Sequence, residues 1–470
     1  MNGLPTFPAG RTSRRSGTHE RRDPPKATTV LQVSSNCESA VADTNFRSMW
    51  RFREQAMIEN YWQSRRWWVD RSAIDYPSNP SLEFVVRSVL ADRAAECDRR
   101  LHDLSERSDL NWETVERIAR FNQIVPPVYK GIAATCPDRV PKEVLSALRG
   151  RYRTNAVRNR YLVGELLEIL EQFESRGIRA IPYKGAVLAR AVYDDLDRRT
   201  FVDADLLVAK EDLAEAASTL TELGYRWFDA ADERQPPLGP VIGGPLVPPL
   251  TDEWKFDGGD AVVEVGWQLH RPSAPIDLPF DDLWERSVST SLSGDDVPSL
   301  SPIDRLLVLA HHGSRHQWAR LKWICDFAEA VRAEDRLPWH AVVKRAKAAG
   351  IERRLRIALG LSMVLFDCPK RPVARRIAVD DDRAVALVGK ILDRYWTDPL
   401  GDPGAAATYL FDVCSTDSID DALVAATGLL RPTLAEYRRV PLPRTLYPLY
   451  YLVRPLRLLG REITSTSEHR

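Results

Sequence analysis

Hydrophobic positions recur every three to four residues from about residue 83 to 175, which predicts a run of amphipathic helices. "LEFVVRSVLADRAAECDRRLHDL" carries the period first. "NWETVERIARFNQIVPPVYKGI" has Asn111 as an N-cap and is predicted to stop near Pro126. "YLVGELLEILEQFESRG" ends on Gly177, a suitable residue just beyond a helix. The period then shortens. Ile178 to Tyr183 reads as a strand, "AVLARAVY" as a helix and "FVDADLLVA" as a second strand. "KEDLAEAASTLTELGY" reads as a helix with acids in its first turn, which suits the helix dipole. A Pro/Gly-rich loop follows at about 235–249, and then the strand "DAVVEVGWQLH" behind Gly258 and Gly259. The order strand–helix–strand–helix–loop–strand predicts an α/β core set between helical regions, an α+β chain. Beyond it, "SPIDRLLVLAHHGSRHQWARLKWICDFAEAV" starts at Ser301 with Pro302 in the first turn and predicts two helices meeting near Gln317. Residues 339–366 and about 382–430 continue the helical period.

Outside these elements the pattern changes. Residues 1–45 are rich in Arg, Ser, Thr, Pro and Asn and have no period, which predicts a disordered arm. Phe46 to Tyr76 interleaves Trp50, Trp62, Trp67 and Trp68 with arginines. Such a stretch can stack on nucleic-acid bases, but more often it packs on the domain behind it. The expected organisation is the arm, a helical region at 46–177, the α/β core at 178–300, a helical region at 301–436 and a Pro/Tyr/Arg-rich tail at 437–470. Lys plus Arg and Asp plus Glu both number 66, so the formal charge is zero, which argues against nucleic acid as the main partner. The six cysteines are scattered without a C-x-x-C pair, so neither a disulfide framework nor a zinc ribbon is expected. No apolar run is long enough to span a membrane and the arginine-bearing N-terminus lacks a signal-like apolar segment, so a cytoplasmic location is expected.

The candidate chemistry lies on the strands. Asp203 and Asp205 stand two apart, and residues at that spacing share one face of a strand. Leu206, Leu207 and Val208 mark the strand as buried, and burying paired carboxylates without a counter-charge is costly. A hard cation such as Mg²⁺ answers that cost with oxygen ligands, and Glu264 on the third strand is the obvious third carboxylate. The bland alternative pairs these acids with Arg198 or Arg199. Upstream, Lys184 and Gly185 join the first strand to a helix. Glycine lets backbone approach a phosphate, the free N–H groups at the helix start (Gly185, Ala186) attract anions, and Lys184 adds a point charge.

Taken together, Lys184-Gly185, Tyr193, Arg199, Asp203, Asp205 and Gly224-Tyr225 resemble the pattern of an uncharacterised bacterial nucleotidyltransferase family, a branch of the polymerase-beta-like superfamily. "VVEVGWQLH" and "LLVLAHHGSRHQWARLKWICDFAEAV" are similar to its downstream segments, and the likeness runs from about residue 85 to 335. The resemblance implies a small mixed-sheet nucleotidyltransferase core flanked by helical regions. It implies transfer of a nucleotidyl group from an NTP to a hydroxyl or phosphate, with release of pyrophosphate. Asp203, Asp205 and Glu264 would hold two Mg²⁺, while Lys184, Gly185, Ala186 and Arg199 would bind the nucleotide. Two positions depart from the pattern. Ala186 stands where the superfamily has Ser or Gly, and Gly266 stands where the family has a His before Trp267.

His312 and His316 are four apart on a helix, a spacing that can chelate zinc, but no H-E-x-x-H is present and Cys325 lies in an apolar run. With Trp267, Trp323 and Asp326 they form a candidate acceptor pocket. The acceptor is unassigned, and the classes expected for it are a small molecule, a saccharide or a peptide. The rival reading is a non-catalytic nucleotide- or partner-binding protein that uses the same fold.

Overall fold

The computed structural model describes residues 79–91, 95–227, 253–269, 276–334, 336–368 and 371–427, with a few positions between 440 and 453. These all fall within one unit, Asp70–Arg470. The arm, the Arg/Trp stretch, the 235–249 loop and most of the tail lie outside the described residues.

The N-terminal helices are α1 (Pro80–Leu90), α2 (Ala95–Ser105), α3 (Trp112–Phe121), α4 (Val125–Thr135) and α5 (Lys142–Ser175). Asn111 caps α3 by accepting from Thr114 N at 2.8 Å, as its position in the sequence implied. The chain breaks before Pro126, not at it. Gln123 takes a φ of 56°, and Pro126 then falls in the first turn of α4, where its missing N–H costs nothing. α5 runs for 34 residues without a proline, twice the stretch the period marked. It closes across Gly177, where Ile178 N donates to Phe173 O at 2.9 Å.

The sheet is mixed and five-stranded in the order β1-β2-β5-β4-β3, built from β1 (Ala180–Pro182), β2 (Asp203–Val208), β3 (Arg226–Trp227), β4 (Glu253–Asp257) and β5 (Val262–Gly266). β2 and β5 are parallel, while the other pairs are antiparallel. The helices α6 (Gly185–Tyr193) and α7 (Leu213–Glu222) connect the first strands. The observed α+β architecture therefore agrees with the expected one, and β3 and β4 add two strands the period did not reveal. One sheet face buries Ala204, Leu206, Val208, Val263 and Val265 against Leu162, Leu166, Ile169 and Phe173 of α5 and Leu213 and Leu220. Each fully buried aliphatic or aromatic side chain of this kind contributes about 1.5–3 kcal/mol. Because side chains alternate, that apolar face fixes Asp203, Asp205 and Glu264 on the other.

Beyond the sheet come α8 (Phe280–Glu285), a hairpin of β6 (Val288–Leu292) and β7 (Asp295–Ser299), and the helices α9 (Pro302–Arg315), α10 (Leu321–Arg332), α11 (Trp339–Ala348), α12 (Glu352–Phe366), α13 (Pro372–Val379), α14 (Asp382–Thr397), α15 (Ala405–Cys414) and α16 (Ile419–Thr427). Ser301 caps α9, with Pro302 in the first turn. The expected break near Gln317 is present. Gln317 and Trp318 both take positive φ, at 45° and 52°. Trp318 is fully buried against Gly313, where a Cβ would come within 2.3 Å of the indole, so only glycine admits this turn. Arg394 Nη2 and Tyr395 Oη of α14 both donate to Trp318 O, at 2.7 and 2.5 Å, pinning it. No helix among the described residues is long and apolar enough to cross a membrane.

Candidate functional site

In the parallel β2–β5 pair, Asp205 stands beside Glu264 and Asp203 beside Val262. Parallel neighbours share a face, so Asp203, Asp205 and Glu264 all lie on the polar side of the sheet. In the next pair, Lys255 on β4 stands beside Glu264. The acids do not pair with Arg198 or Arg199. Lys184 Nζ forms an ion pair with Asp205 Oδ1, and Lys255 Nζ donates to Glu264 Oε1. Arg198 is drawn to Asp195 instead, at 3.8 Å. Asp203 meets no side-chain donor among the described residues.

These carboxylates differ in environment. Asp205 is buried, and burial pushes its carboxyl up to about 6, with Lys184 opposing and the charges of Asp203 and Glu264 adding. Its Oδ1 has no aligned hydrogen-bond donor despite the ion pair. Burial also works against the charge of Lys184, but Asp205 outweighs it and holds the ammonium above its usual value. Three carboxylates on one face, one of them without a side-chain donor among the described residues, make a donor set that a hard cation could use. Among the described residues no three His, Cys, Asp or Glu side chains are already gathered closely enough to hold an ion. Two of the three carboxylates here are held by ammonium groups instead.

The turn before α6 adds a second element. Gly185 takes a φ of 55°, and a Cβ there would lie 3.1 Å from Asp203 O, so the backbone packs directly against the acidic strand. No side chain caps α6. The N–H groups of Gly185, Ala186 and Val187 thus lack the side-chain acceptor that helix starts usually find, next to the carboxylates.

Arg199 has a different place from the one the motif suggested. It is buried, its Nε and Nη2 donate to Asp326 Oδ1 and Oδ2 at 2.9 Å each, and its Nη1 donates to Gly185 O at 3.1 Å. Tyr193 Oη also donates to Asp326 Oδ1, at 2.8 Å. Tyr193 and Arg199, six residues apart, therefore form one cluster with the distant Asp326, which ties α10 to the Gly185 turn. Burial, and then Asp326, hold the Tyr193 hydroxyl well above its ordinary value, so it remains a donor.

His312, His316 and Trp323 are brought together on α9 and α10. His316 stacks on Trp323 with ring centroids 4.7 Å apart, and His312 meets His316 edge-on at 4.8 Å. Burial, then the charge of Lys184, hold the His312 imidazole well below its usual value, so it is neutral near pH 7. Trp267 is not part of this group. It packs in the apolar core against Trp254, on the sheet face away from Glu264. Asp326 is taken up by Arg199 and Tyr193. Lys255 escaped the sequence pattern, which offered no sign of its place, because that place depends on the register of β4 against β5. Nor did it mark Lys322, which borders the site in the first turn of α10 and lies in an ordinary amphipathic run.

A family model described as uncharacterised nucleotidyltransferase matches residues 108–367, more than half of the chain. The chain belongs to that family. No curated protein and no solved structure matches it.

Proposed function

We propose that the protein transfers a nucleotidyl group from an NTP to a hydroxyl or phosphate of an acceptor, in a Mg²⁺-dependent reaction that releases pyrophosphate. The observation that carries this reading is the shared face of Asp203, Asp205 and Glu264 beside the uncapped start of α6. Asp203 and Asp205, with Glu264, would hold Mg²⁺, which supplies Lewis-acid polarisation of the phosphoryl oxygens when bound. The chain's own groups do the rest. The N–H groups of Gly185 and Ala186 and the ammonium of Lys184 meet anionic phosphate oxygens and neutralise charge developing on the leaving pyrophosphate. Lys184 must leave Asp205 to do so, which couples nucleotide arrival to release of that carboxylate. A carboxylate of the triad accepts the acceptor's proton. Arg199, committed to Asp326, holds the Gly185 turn in place and is a positioning residue in this scheme.

A second reading rests on one specific observation. Two of the three carboxylates are already neutralised by Lys184 and Lys255, which suits a fold kept for binding alone. Incubation with each α-labelled NTP, Mg²⁺ and cell extract separates the two. Catalysis predicts a labelled product that Asp203→Asn and Glu264→Gln abolish. The binding reading predicts Mg²⁺-dependent thermal stabilisation by an NTP without any labelled product.

A further inference from the structure

Charge bookkeeping around the site leaves two groups over. Lys184 is taken by Asp205, Lys255 by Glu264 and Arg199 by Asp326. Asp203 has no side-chain donor among the described residues. Lys322 is half-buried, and among the described residues its ammonium donates only to a neutral amide, Gln123 Oε1, at 3.3 Å. The charges that bear on it are those of Arg199, Asp326, Asp203 and Lys184. Two of these are cations, and the two acids are Asp326, already spent on Arg199, and Asp203 across the site.

The position of Lys322 is built rather than incidental. Buried Asn122 accepts from Leu321 N at 3.0 Å through Oδ1 and from Lys322 N at 3.3 Å through its carbonyl. These bonds lock the first turn of α10 onto the α3–α4 turn. Trp323 and His316, stacked on one another and both half-exposed, flank it. Nothing in the fold requires a lysine there. An apolar residue would avoid the cost of drawing an ammonium from water towards two other cations.

We propose that Lys322 is an anion-binding residue of this site, taking a phosphate or carboxylate oxygen of a ligand whose other end lies against Asp203. The proposal rests on the nucleotidyl-transfer reading only for the identity of that ligand. The anion has two sources, the nucleotide's polyphosphate or an anionic group on the acceptor. Burial, joined by the charge of Arg199, brings the amine down to about 8, and an anion at Nζ restores the charge that burial opposes.

Amine acylation followed by peptide mass spectrometry on the full wild-type chain tests this without a mutant. The probes are Mg²⁺ with inorganic tripolyphosphate, Mg²⁺ with an α,β-methylene NTP, inorganic phosphate added on top of that analogue, and glucose as a neutral control. Labelling of Lys322 should slow about tenfold or more with an anion and not with glucose. Protection by tripolyphosphate or the analogue alone assigns the anion to the nucleotide. Protection that needs the added phosphate assigns it to the acceptor. Lys322→Met should then weaken the protecting anion roughly ten- to hundred-fold, the loss expected for one charge-assisted hydrogen bond, while Lys322→Arg retains it and Lys390→Met, on the exposed side of α14, changes nothing. Unchanged labelling with every anion overturns the proposal, whatever the nucleotide does. If anions protect Lys322 but the wild-type chain takes up no NTP with Mg²⁺, the subsite stands and the nucleotidyl-transfer reading falls. If the NTP analogue binds by calorimetry while Lys322 labels freely, the reverse holds.

Discussion

Replacing Asp326 with Asn tests whether Arg199 clamps the fold or serves a ligand. The carboxylate accepts two hydrogen bonds from Arg199 at 2.9 Å and one from Tyr193 at 2.8 Å, and both members of the ion pair are almost wholly buried. Asn keeps the shape but removes the charge and turns one acceptor into a donor that faces the guanidinium. An unpaired buried charge costs about 3–5 kcal/mol. At about 2.1 cal/mol/K of unfolding entropy per residue, a unit as large as Asp70–Arg470 loses roughly 1–2 °C of melting temperature per kcal/mol, so Asp326→Asn should melt roughly 3–10 °C lower. Arg199→Met should lose a similar amount for the mirror-image reason. The double variant Arg199→Met/Asp326→Asn leaves neither charge stranded and should recover much of the loss, which a double-mutant cycle reads as a large favourable coupling. Arg199→Lys should fall between, because a point charge cannot reproduce the two-pronged contact. The assay is thermal and urea unfolding of all five proteins without ligand, followed by NTP titration of those that fold. Additive losses in the cycle, or an Arg199→Met protein as stable as the parent that has lost only NTP affinity, would refute the clamp and return Arg199 to the phosphates.

Lys184→Met should tighten Mn²⁺ binding, because an ammonium no longer competes for Asp205, and should weaken NTP binding. Calorimetric titration of each ligand checks this, and unchanged values for both would sink the dual role. Gly185→Ala should cost about 1–2 kcal/mol from the left-handed φ alone, with further loss from the contact with Asp203 O, and urea unfolding reads it. Asp412, on α15, is pushed up to about 7 by burial, against the opposing charge of Arg354. The folded protein therefore holds a proton there that the unfolded chain releases near pH 4, and this stabilising share declines as pH rises from about 4 to about 7. Asp412→Asn removes that decline, so the variant should gain on the parent across this window and run parallel above it; melting curves at several pH values would show a constant difference if the reasoning were wrong.

Periodicity was enough to read much of the architecture. The caps at Asn111 and Ser301, the stop at Gly177 and the break near Gln317 each follow from local backbone chemistry that a few neighbouring residues supply. The shared face of Asp203 and Asp205 also needed only the strand period. The elements that escaped were those with little local signal. β4 alternates polar and apolar residues over only five positions beside a Pro/Gly-rich stretch, a run too short to stand out, and the cross-strand place of Lys255 depends on pairing with a distant strand. Trp267 lies in the same family-like segment as Glu264, but their sequence separation is odd, and alternation sends it to the opposite face and into the core.

The sequence by itself therefore determined that Asp203 and Asp205 share one strand face and where several of the helices start and stop, because these depend on neighbours within a few positions. Tertiary structure alone decided which charge meets which. Asp326 lies 127 residues from Arg199, yet their bond joins α10 to the Gly185 turn. Asn122, almost 200 residues upstream, sets the first turn of α10 and with it Lys322. Ion pairing depends on distance in space and on what solvent is left between the partners, and neither quantity is written in the local pattern of the chain.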